Sequence, residues 1–407
     1  MDSCDLLIIG CGPAGATAAR EAARAGVTTV VLERDAVVGA KRVCAAGLRP
    51  GFCGTFDLPK SLVHCDTPRL GLFDAAGGEY EMFFGPGHTS TREELDGTMA
   101  ALAAGEGAEI RTRALFRALK AERDRAIVEY ADLESGRRRN ISARSVFFAV
   151  GATARLEDAS FGRIAMARWR DGLITTLQYR VHLDRPAAAI AYETLELHYY
   201  CSRDGRPLIA WMFPKRDHLA IGLGVMGKMD GATLRAELDR FTERVARRLY
   251  SGSAVTKVKV EGHLLYGGVA RRCVADGRVL VGGTAAGFVD ATNGEGIFEA
   301  ALSGRFAADA VARRDRIAER YSRSVAQRFA HRLAHRVLLM RYLERRPSRY
   351  ARLFAQMAAT PRLAEVLLKE DCERSLRERA FLYRQALRFW ANTVRAIPAT
   401  SPVPIRP

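Results

Sequence analysis

The stretch that decides the fold is Asp5-Leu6-Leu7-Ile8-Ile9-Gly10-Cys11-Gly12-Pro13-Ala14-Gly15, followed by an alanine-rich segment and a second apolar run that ends at Glu33. The pattern predicts a strand, a glycine turn, a helix and a second strand, which together form a dinucleotide-binding unit. Gly10 would permit the tight turn, Gly12 would let the backbone approach a pyrophosphate, and Gly15 would allow the helix to pack closely on the strand.

Two further features of this unit indicate a dinucleotide. The helix that begins at Pro13 and Ala14 would direct its amide groups and the positive end of its dipole at the phosphates. Glu33 follows the glycines by about twenty residues, where a carboxylate accepts hydrogen bonds from a ribose hydroxyl. The motif by itself leaves open whether the dinucleotide is FAD or NAD(P).

Length and cysteine usage bound the class of protein. The 407 residues allow two or three domains with a large core. Eight cysteines are scattered without Cys-x-x-Cys or any Cys/His spacing that suits a metal, so we expect reduced thiols and no metal site. No apolar run reaches the roughly 18 residues of a membrane span, and no signal peptide is expected before the first strand. The sequence therefore predicts a cytoplasmic location, with peripheral contact to the inner face of the membrane as an open alternative.

The chain is strongly basic, with a formal net charge of +17. Residues 305–395 hold 22 Lys and Arg against 9 Asp and Glu, so most of the excess is C-terminal. Such a surface can dock an anionic membrane or an acidic electron-carrier protein, while arginines that only solvate helices would give the same composition. Nucleic acid is not expected as a partner, because no aromatic-basic motif accompanies the charge.

The remaining segments predict an α/β protein in three parts. Short apolar runs near 52–90 predict a small inserted sheet, and the capping box of Thr91 and Glu94 predicts the start of a helix. Other predicted strands and turns are a hairpin turn at 137–140, buried strands at 145–152 and 278–283, and β-rich runs at 173–183, 188–200, 208–213 and 218–225. Beyond Arg313 the pattern is helical, with an apolar stripe every fourth residue from Ile317 to Val337.

The predicted domains follow from these elements. Residues 1–155 and 266–312 would form a Rossmann-like cofactor domain, 156–265 an antiparallel β-sheet substrate domain, and 313–397 a helical region. Residues 398–407 would be a disordered tail. A second aromatic stripe, carrying Tyr350, Leu353, Phe354 and Met357, is typical of a hydrophobic core.

With these motifs the chain resembles the geranylgeranyl reductase family, within the flavoprotein group that also holds aromatic hydroxylases and flavin-dependent halogenases. The resemblance is carried by the opening glycine motif, Arg42-Val43-Cys44-Ala45-Ala46-Gly47, Trp211-Met212-Phe213-Pro214, and the run from Gly283 to Ile297. It implies that the cofactor is FAD, bound in the Rossmann-like domain.

The resemblance also implies roles for individual residues. The implied FAD contacts are Gly10, Gly12, Pro13, Ala14, Gly15, Glu33, Arg34, Arg42, Cys44, Ala45, Arg92, Leu115, Gly151, Thr284, Gly294, Gly296 and Ile297. Cys44 would lie beside the isoalloxazine ring as a candidate proton donor or positioning group, with a small buried filler as the alternative. Trp211, Phe213 and Pro214 would contact the substrate, although a buried tryptophan in a strand is equally often structural.

The chain departs from the family pattern at several positions. A Gly-Asp that holds the ribityl chain is Gly283-Thr284 here, and an Asp-Gly is Val150-Gly151. The threonine hydroxyl can still bond a ribityl oxygen, but without charge assistance. The motif Tyr-x-Trp-x-Phe-Pro begins with Ile209, so its tyrosine is missing.

The resemblance predicts an FAD-dependent reductase of carbon–carbon double bonds in a prenyl or similarly apolar substrate. The electron donor would be NAD(P)H or reduced ferredoxin. Two alternatives remain open: a monooxygenase or halogenase that acts through a flavin hydroperoxide, and a flavin-binding protein that has lost catalysis. All depend on one expectation, that glycine turns near residues 12, 151 and 283–296 converge on one cofactor beneath the β-rich middle of the chain.

Overall fold

A computed structural model gives the fold of the protein. It describes residues 2–40, 44–122, 124–153, 156, 159–166, 169–183, 192–227, 229–249, 255–369 and 373–395. Arg42, the predicted tail at 398–407 and the first residues of the run predicted at 188–200 lie outside these ranges.

The described residues form strands and helices in the order that the sequence predicts. The strands are β1 (Asp2–Ile9), β2 (Thr29–Leu32), β3 (Gly47–Leu48), β4 (Cys65–Phe73), β5 (Glu79–Thr89), β6 (Glu109–Arg111), β7 (Ala114–Ala121), β8 (Ala126–Asp132), β9 (Arg138–Phe148), β10 (Leu173–Leu183), β11 (Thr194–Cys201), β12 (Pro207–Pro214), β13 (Leu219–Met226), β14 (Val255–Tyr266), β15 (Ala275–Asp276) and β16 (Val279–Val281). The α-helices are α1 (Pro13–Arg24), α2 (Phe52–Thr55), α3 (Arg92–Gly105), α4 (Gly231–Leu249), α5 (Ile297–Ala312), α6 (Ile317–Val325), α7 (His331–Glu344), α8 (Ser348–Ala358), α9 (Pro361–Leu368) and α10 (Leu376–Arg395).

The first sheet has the mixed topology of a Rossmann-like domain. Its central strands run in the order β16-β9-β1-β2-β6 and are all parallel. The antiparallel strands β15 and β8 pair with β16 and β9, and β7 pairs with β8. Because parallel strands end at the same edge, the turns that follow β1, β9 and β16 lie side by side. The strand register shows that these turns are neighbours, since Phe148 at the end of β9 pairs with both Ile9 and Val281.

Helices α1 and α5 pack closely on this sheet and on each other because small residues line the contact. A Cβ on Gly15 would lie 1.9 Å from the carbonyl oxygen of Gly10, and one on Gly304 would lie 2.1 Å from that of Ala14. No side chain larger than hydrogen fits at either position. The predicted role of Gly15 in helix–strand packing is therefore confirmed.

The second sheet has the strand order β14-β10-β13-β12-β11-β4-β5-β3. It is antiparallel except where β11 pairs with β4 in parallel. One face is covered by the apolar side of α4, including Leu238 and Phe241. The other face turns Leu197, Tyr199 and Trp211 toward the C-terminal helices.

Two sequence predictions need correction. No separate inserted sheet forms from the described part of residues 52–90: β4 pairs with β11, β5 pairs with β4, and both extend the second sheet because their apolar faces continue its inner surface. The hairpin turn predicted at 137–140 lies earlier, at 133–137, and Arg138 to Asn140 already pair with β8. The run of arginines at 137–139 predicts an exposed turn, but in the structure Arg138 and Arg139 are exposed residues of a paired strand.

The C-terminal helices complete the molecule. The predicted stripe is buried from Ile317 to Val337, and a π-helical turn at Ala326–Ala330 joins α6 to α7. A strict spacing of four residues drifts around an α-helix of 3.6 residues per turn, and the wider π turn offsets that drift. In the described part of the chain, no helix is long and apolar enough to cross a membrane.

Candidate functional site

The three glycine turns converge as predicted. Gly10 has a φ of +96°, and a Cβ there would lie 2.6 Å from the carbonyl oxygen of Ala149, just before Val150 and Gly151. Gly283, in the single helical turn Gly283–Ala286, faces Ala14, whose Cβ would be 3.2 Å from an added Cβ. Gly151 has a φ of +74° and open space around its Cα. Thr284 follows Gly283 and is partly buried.

Two helices present uncapped amino ends to this place. The N-cap residues are Gly12 for α1 and Gly296 for α5, and in the described part of the chain no side chain bonds to the free amides at either helix end. By contrast, Thr91 caps α3 by accepting a hydrogen bond from the Glu94 amide at 3.3 Å, as the capping box predicts. Uncapped helix ends leave backbone amides available to an anionic group.

Glu33 lies at the end of β2 and is buried beneath the first glycine turn. Its carboxylate accepts hydrogen bonds from the amides of Cys11 at 2.8 Å and Asp35 at 3.0 Å. Arg34 is exposed on the surface beside Asp35. Leu115 is partly buried at the start of β7, next to Ala114, whose amide donates to the Glu33 carbonyl at 2.9 Å. The structure thus groups Glu33 and Leu115 at one end of the site, with Arg34 at the surface.

Cys44 lies between the first glycine turn and the second sheet. Its sulfur accepts hydrogen bonds from the Ala46 amide, at 3.3 Å, and from the Arg92 guanidinium. Arg92 is itself fixed by Asp96, with bonds of 2.9 and 2.6 Å, and its guanidinium lies 3.5 Å from where a Gly12 Cβ would stand. Arg92 therefore joins Cys44 to the first glycine turn.

Sequence reasoning missed Lys215, which lies beneath the Cys44 segment. Its ammonium group donates to the Ala45 carbonyl oxygen, and its side chain is almost fully buried. Among the described residues, no carboxylate forms an ion pair with it. Burial lowers the pKa of Lys215 to about 7. A lysine directly after the Trp-x-Phe-Pro motif was the available signal, but nothing in the sequence places it next to Cys44.

A cavity of about 310 Å³ starts at this point and continues between the second sheet and the C-terminal helices. Its first end is lined by Cys44 to Arg49 and by Thr292 to Ile297, which includes Gly294 and Gly296. The other end is apolar and is lined by Leu70, Leu72, Met82, Leu195, Leu197, Leu339, Leu343, Tyr350, Leu353, Phe354, Met357 and Leu367. The aromatic stripe of α8, which the sequence favoured as core, is thus a wall of this cavity.

The predicted substrate residues divide into two groups. Trp211 and Phe213 line the cavity, while Pro214 is buried and accepts a hydrogen bond from the Thr89 hydroxyl at 2.7 Å. The Trp211 indole lies across Gly222, where an added Cβ would be 2.3 Å from the ring, and donates to Gln178 at 3.0 Å. Phe213 packs on Gly47, at 2.5 Å from an added Cβ. This contact explains a glycine at 47, next to alanines at 45 and 46.

A buried charge cluster surrounds the loop from Asp290 to Ile297, and the sequence did not predict it. Arg332 on α7 donates to Glu299 at 2.5 Å, and Arg336 lies 3.2 Å from Asp290. Arg49 lies 3.4 Å from Glu295. Burial and the neighbouring Glu299 raise the pKa of Glu295 to about 7, against the opposing effect of Arg49. Arg332 and Arg336 of α7 therefore pair with Glu299 on α5 and with Asp290 in the loop before that helix.

The arrangement fits a bound dinucleotide with an apolar partner beside it. Two uncapped helix ends meet at a glycine-lined cradle, where the first turn leaves room for a pyrophosphate. The adjoining cavity is walled by aliphatic and aromatic side chains, with one thiol at its polar end. Among the described residues, no group of three or more His, Cys, Asp or Glu side chains could hold a metal ion.

Comparisons with known proteins agree with this geometry. Residues 5–145 match the family described as FAD dependent oxidoreductase. The chain is 29% identical over 324 residues to the chloroplastic geranylgeranyl diphosphate reductase of Oryza sativa subsp. japonica. That match covers 75% of this chain and 65% of the rice protein, so the chain spans about two thirds of that relative's length.

Solved structures share the fold at lower identity. A geranylgeranyl bacteriochlorophyll reductase-like protein from Thermoplasma acidophilum aligns over 97% of this chain and 98% of its own, with a TM-score of 0.69 and 20% identity. The flavin-dependent brominase Bmp2 aligns over 96% of this chain and 100% of its own, with a TM-score of 0.71 and 15% identity. The α/β fold with two sheets and a helical C-terminal region is thereby confirmed.

Proposed function

We propose that the chain is a geranylgeranyl reductase-like FAD-dependent oxidoreductase and that it reduces carbon–carbon double bonds of a prenyl or similarly apolar substrate. The main support for the proposal is that one cavity runs from the segments at Cys44–Arg49 and Gly294–Ile297 to an end lined by apolar side chains. A cavity of this kind suits a hydrocarbon chain, because its far walls offer few hydrogen-bonding groups.

The residues that would hold FAD are those that converge at the glycine turns. The amino ends of α1 and α5 would receive the pyrophosphate and the ring edge, and Glu33 would receive the ribose. Gly151 and Thr284 would approach the ribityl chain, where the threonine offers a hydroxyl in place of a carboxylate. When bound and reduced, FAD supplies the hydride for such a reduction.

The chain itself would donate a proton to the substrate and bind the substrate in an apolar cavity. Reducing an alkene requires a proton at the second carbon, and Cys44 lies on the cavity wall with its sulfur held by the Ala46 amide and Arg92. We assign Cys44 as the proton donor. Trp211, Phe213 and the aliphatic walls would exclude water and hold the double bond in place.

The test is anaerobic incubation of the FAD-loaded, dithionite-reduced protein with geranylgeraniol, geranylgeranyl diphosphate and a geranylgeranylated lipid. We expect products heavier by two hydrogens per reduced bond, and loss of product in Cys44→Ala when both proteins are compared at equal FAD occupancy. No mass gain from any compound would contradict the proposal. Incorporation of oxygen or halogen under air would favour a monooxygenase or halogenase instead, and failure to bind added FAD would favour a protein without catalysis.

We further propose that the electron donor is NAD(P)H or an acidic ferredoxin. The described residues contain one dinucleotide cradle, so a second nucleotide would bind only transiently, and the basic surface is complementary to an acidic carrier. Anaerobic mixing with NADH, NADPH or reduced ferredoxin, followed by flavin absorbance, distinguishes the donors. A flavin that none of them reduces would contradict this part of the proposal.

We also propose that α10 contacts an anionic membrane from which an apolar substrate is taken. Leu376, Tyr383, Leu387 and Trp390 recur on one face of this helix and expose 59–84% of their surface. Arg384 and Arg388 lie between them, while Phe389 packs inward against the helices that wall the cavity. An apolar stripe flanked by arginines is complementary to an anionic lipid surface.

Vesicle sedimentation tests this contact. We expect binding to phosphatidylcholine vesicles that contain phosphatidylglycerol, weaker binding without it, and loss of binding in Leu387→Gln/Trp390→Gln. Leu133→Gln, which changes an exposed leucine on the cofactor domain, is the control and should bind like the unchanged protein. Equal binding by all three proteins would contradict a role for α10.

A further inference from the structure

Tyr199 lies on β11 directly opposite Ile209, the position at which the family motif carries a tyrosine. The two residues are register partners in the antiparallel pair of β11 and β12. Directly opposed residues project from the same face of a sheet, with Cβ atoms about 4.5–5.5 Å apart. The chain thus carries a tyrosine one strand away from the position where the motif lacks it.

The hydroxyl of Tyr199 reaches the loop of the cofactor domain. It donates a hydrogen bond of 2.8 Å to the carbonyl oxygen of Thr292, two residues before Gly294. The Thr292 amide and hydroxyl in turn bond to the Asp290 carboxylate, at 3.0 and 2.6 Å. A side chain of the second sheet therefore fastens a loop whose next residues line the polar end of the cavity.

The ring of Tyr199 is held rigidly in the apolar wall. It stacks on Tyr350 with ring centroids 4.8 Å apart and contacts Phe354 at 5.1 Å. The residue is buried, and burial raises its pKa, so the hydroxyl stays protonated and available as a donor. Ile209, Tyr199 and Tyr350 also line a small cavity of about 40 Å³ beside the main one, which leaves room for a ring at position 209.

We propose that Tyr199 is a positioning residue that fixes the 290–297 loop against the cofactor while its ring forms part of the apolar cavity wall. The proposal rests on the proposed function for its cofactor and tunnel. The hydrogen bond between Tyr199 and Thr292 holds independently of any ligand.

The chain supplies a matched control in Tyr200, the next residue of β11. Tyr200 projects from the opposite face, where it stacks on Phe241 at 6.1 Å. Its hydroxyl is buried and has no hydrogen-bond partner among the described residues. Tyr199→Phe and Tyr200→Phe therefore delete the same atom on the two faces of one strand.

Hydrogen exchange on the cofactor-free protein is the first readout. We expect faster exchange of amides 290–297 in Tyr199→Phe and no change there in Tyr200→Phe. This measurement needs no bound FAD, so it tests the positioning role of Tyr199 even in a protein that does not bind the cofactor. Equal exchange in both variants would overturn the inference.

FAD affinity is the second readout. Loss of one buried hydrogen bond should raise the FAD dissociation constant of Tyr199→Phe about five- to tenfold, against no change in Tyr200→Phe. An equal FAD dissociation constant in Tyr199→Phe and Tyr200→Phe would contradict the positioning role.

Discussion

The two ends of the cavity are built on different principles. At the polar end, Arg332, Glu299, Asp290 and Lys215 are buried with specific partners, and backbone groups of two glycine-bearing loops complete the wall. At the apolar end, leucines, methionines and aromatic rings share one surface, where Tyr199 also donates a hydrogen bond to a specific partner, Thr292. Specific ion pairs and hydrogen bonds determine which residues fit the polar end, whereas side-chain volume determines which residues fit the apolar end. We therefore expect the polar end to tolerate few substitutions and the apolar end to tolerate many.

The largest contrast should come from Arg332→Met. This change removes the 2.5 Å ion pair of the fully buried Glu299 and leaves it, among the described residues, only the more distant Arg49, at 3.8 Å. Breaking a buried pair by removing one partner costs about 3–5 kcal/mol of unfolding free energy. Urea denaturation measures the loss. Arg323→Met, on the exposed side of α6 where Arg323 pairs with Glu319, should change little. A similar small loss in both variants would show that the buried cluster does not stabilise the fold.

Gly222→Ala tests the boundary between the two ends. The new methyl group would lie 2.3 Å from the Trp211 ring, so the indole must move and lose its bond to Gln178, at a cost of about 1–3 kcal/mol. Gly97→Ala is the control, since a Cβ there meets no atom within 4 Å and alanine favours the helix α3. The melting temperature should fall in the first variant and rise in the second, and a rise in both would contradict the packing described.

The pH dependence of stability sharpens the comparison further. With a native pKa of about 7, Lys215 is neutral in the folded chain and protonated in the unfolded chain between about pH 7 and 10. The unfolded state then binds the extra proton, so stability rises with pH in that window, by up to about 1.4 kcal/mol per pH unit for this group. Lys215→Met should flatten the rise, and Lys120→Met, on the surface, should not. An unchanged slope in Lys215→Met would mean that this lysine is protonated when folded.

The apolar end should accept a change that the polar end rejects. Leu343→Met places methionine in the tunnel wall with nearly the same volume, and such exchanges cost less than about 1.5 kcal/mol. Leu343→Met and Arg332→Met introduce the same residue at the two ends of the cavity, so their losses of unfolding free energy can be compared directly. A loss in Leu343→Met as large as that in Arg332→Met would remove the contrast.

The smallest effect is expected at Ala46, which has a φ of +44°, a backbone conformation that favours glycine. Ala46→Gly relieves that strain and should stabilise the protein by about 0.5–1 kcal/mol. Ala45 does not have a positive φ, so Ala45→Gly should be destabilising. Opposite signs in thermal unfolding would confirm the strain, and equal signs would contradict it.

The difference between the two ends also explains what the sequence could predict. The glycine turns at 10–15 and 283–296 were predictable, because each glycine answers a local backbone requirement that its neighbours reveal. The stripe of Tyr350 and Phe354 predicted an apolar helix face but not whether that face meets core or cavity. Arg332 and Lys215 were missed because their partners, Glu299 and the Ala45 carbonyl, are distant in sequence. Tyr199 needed the strand register, which no sequence motif supplies.

The most direct test of the central claim, that one cavity holds FAD at its polar end and a prenyl chain at its apolar end, is a flavin difference spectrum. FAD-loaded protein is titrated anaerobically with geranylgeraniol, and binding is measured in parallel by equilibrium dialysis. We expect a saturable change in the flavin absorbance that follows the amount of bound geranylgeraniol. Geranylgeraniol that binds without any change in the flavin spectrum would contradict it.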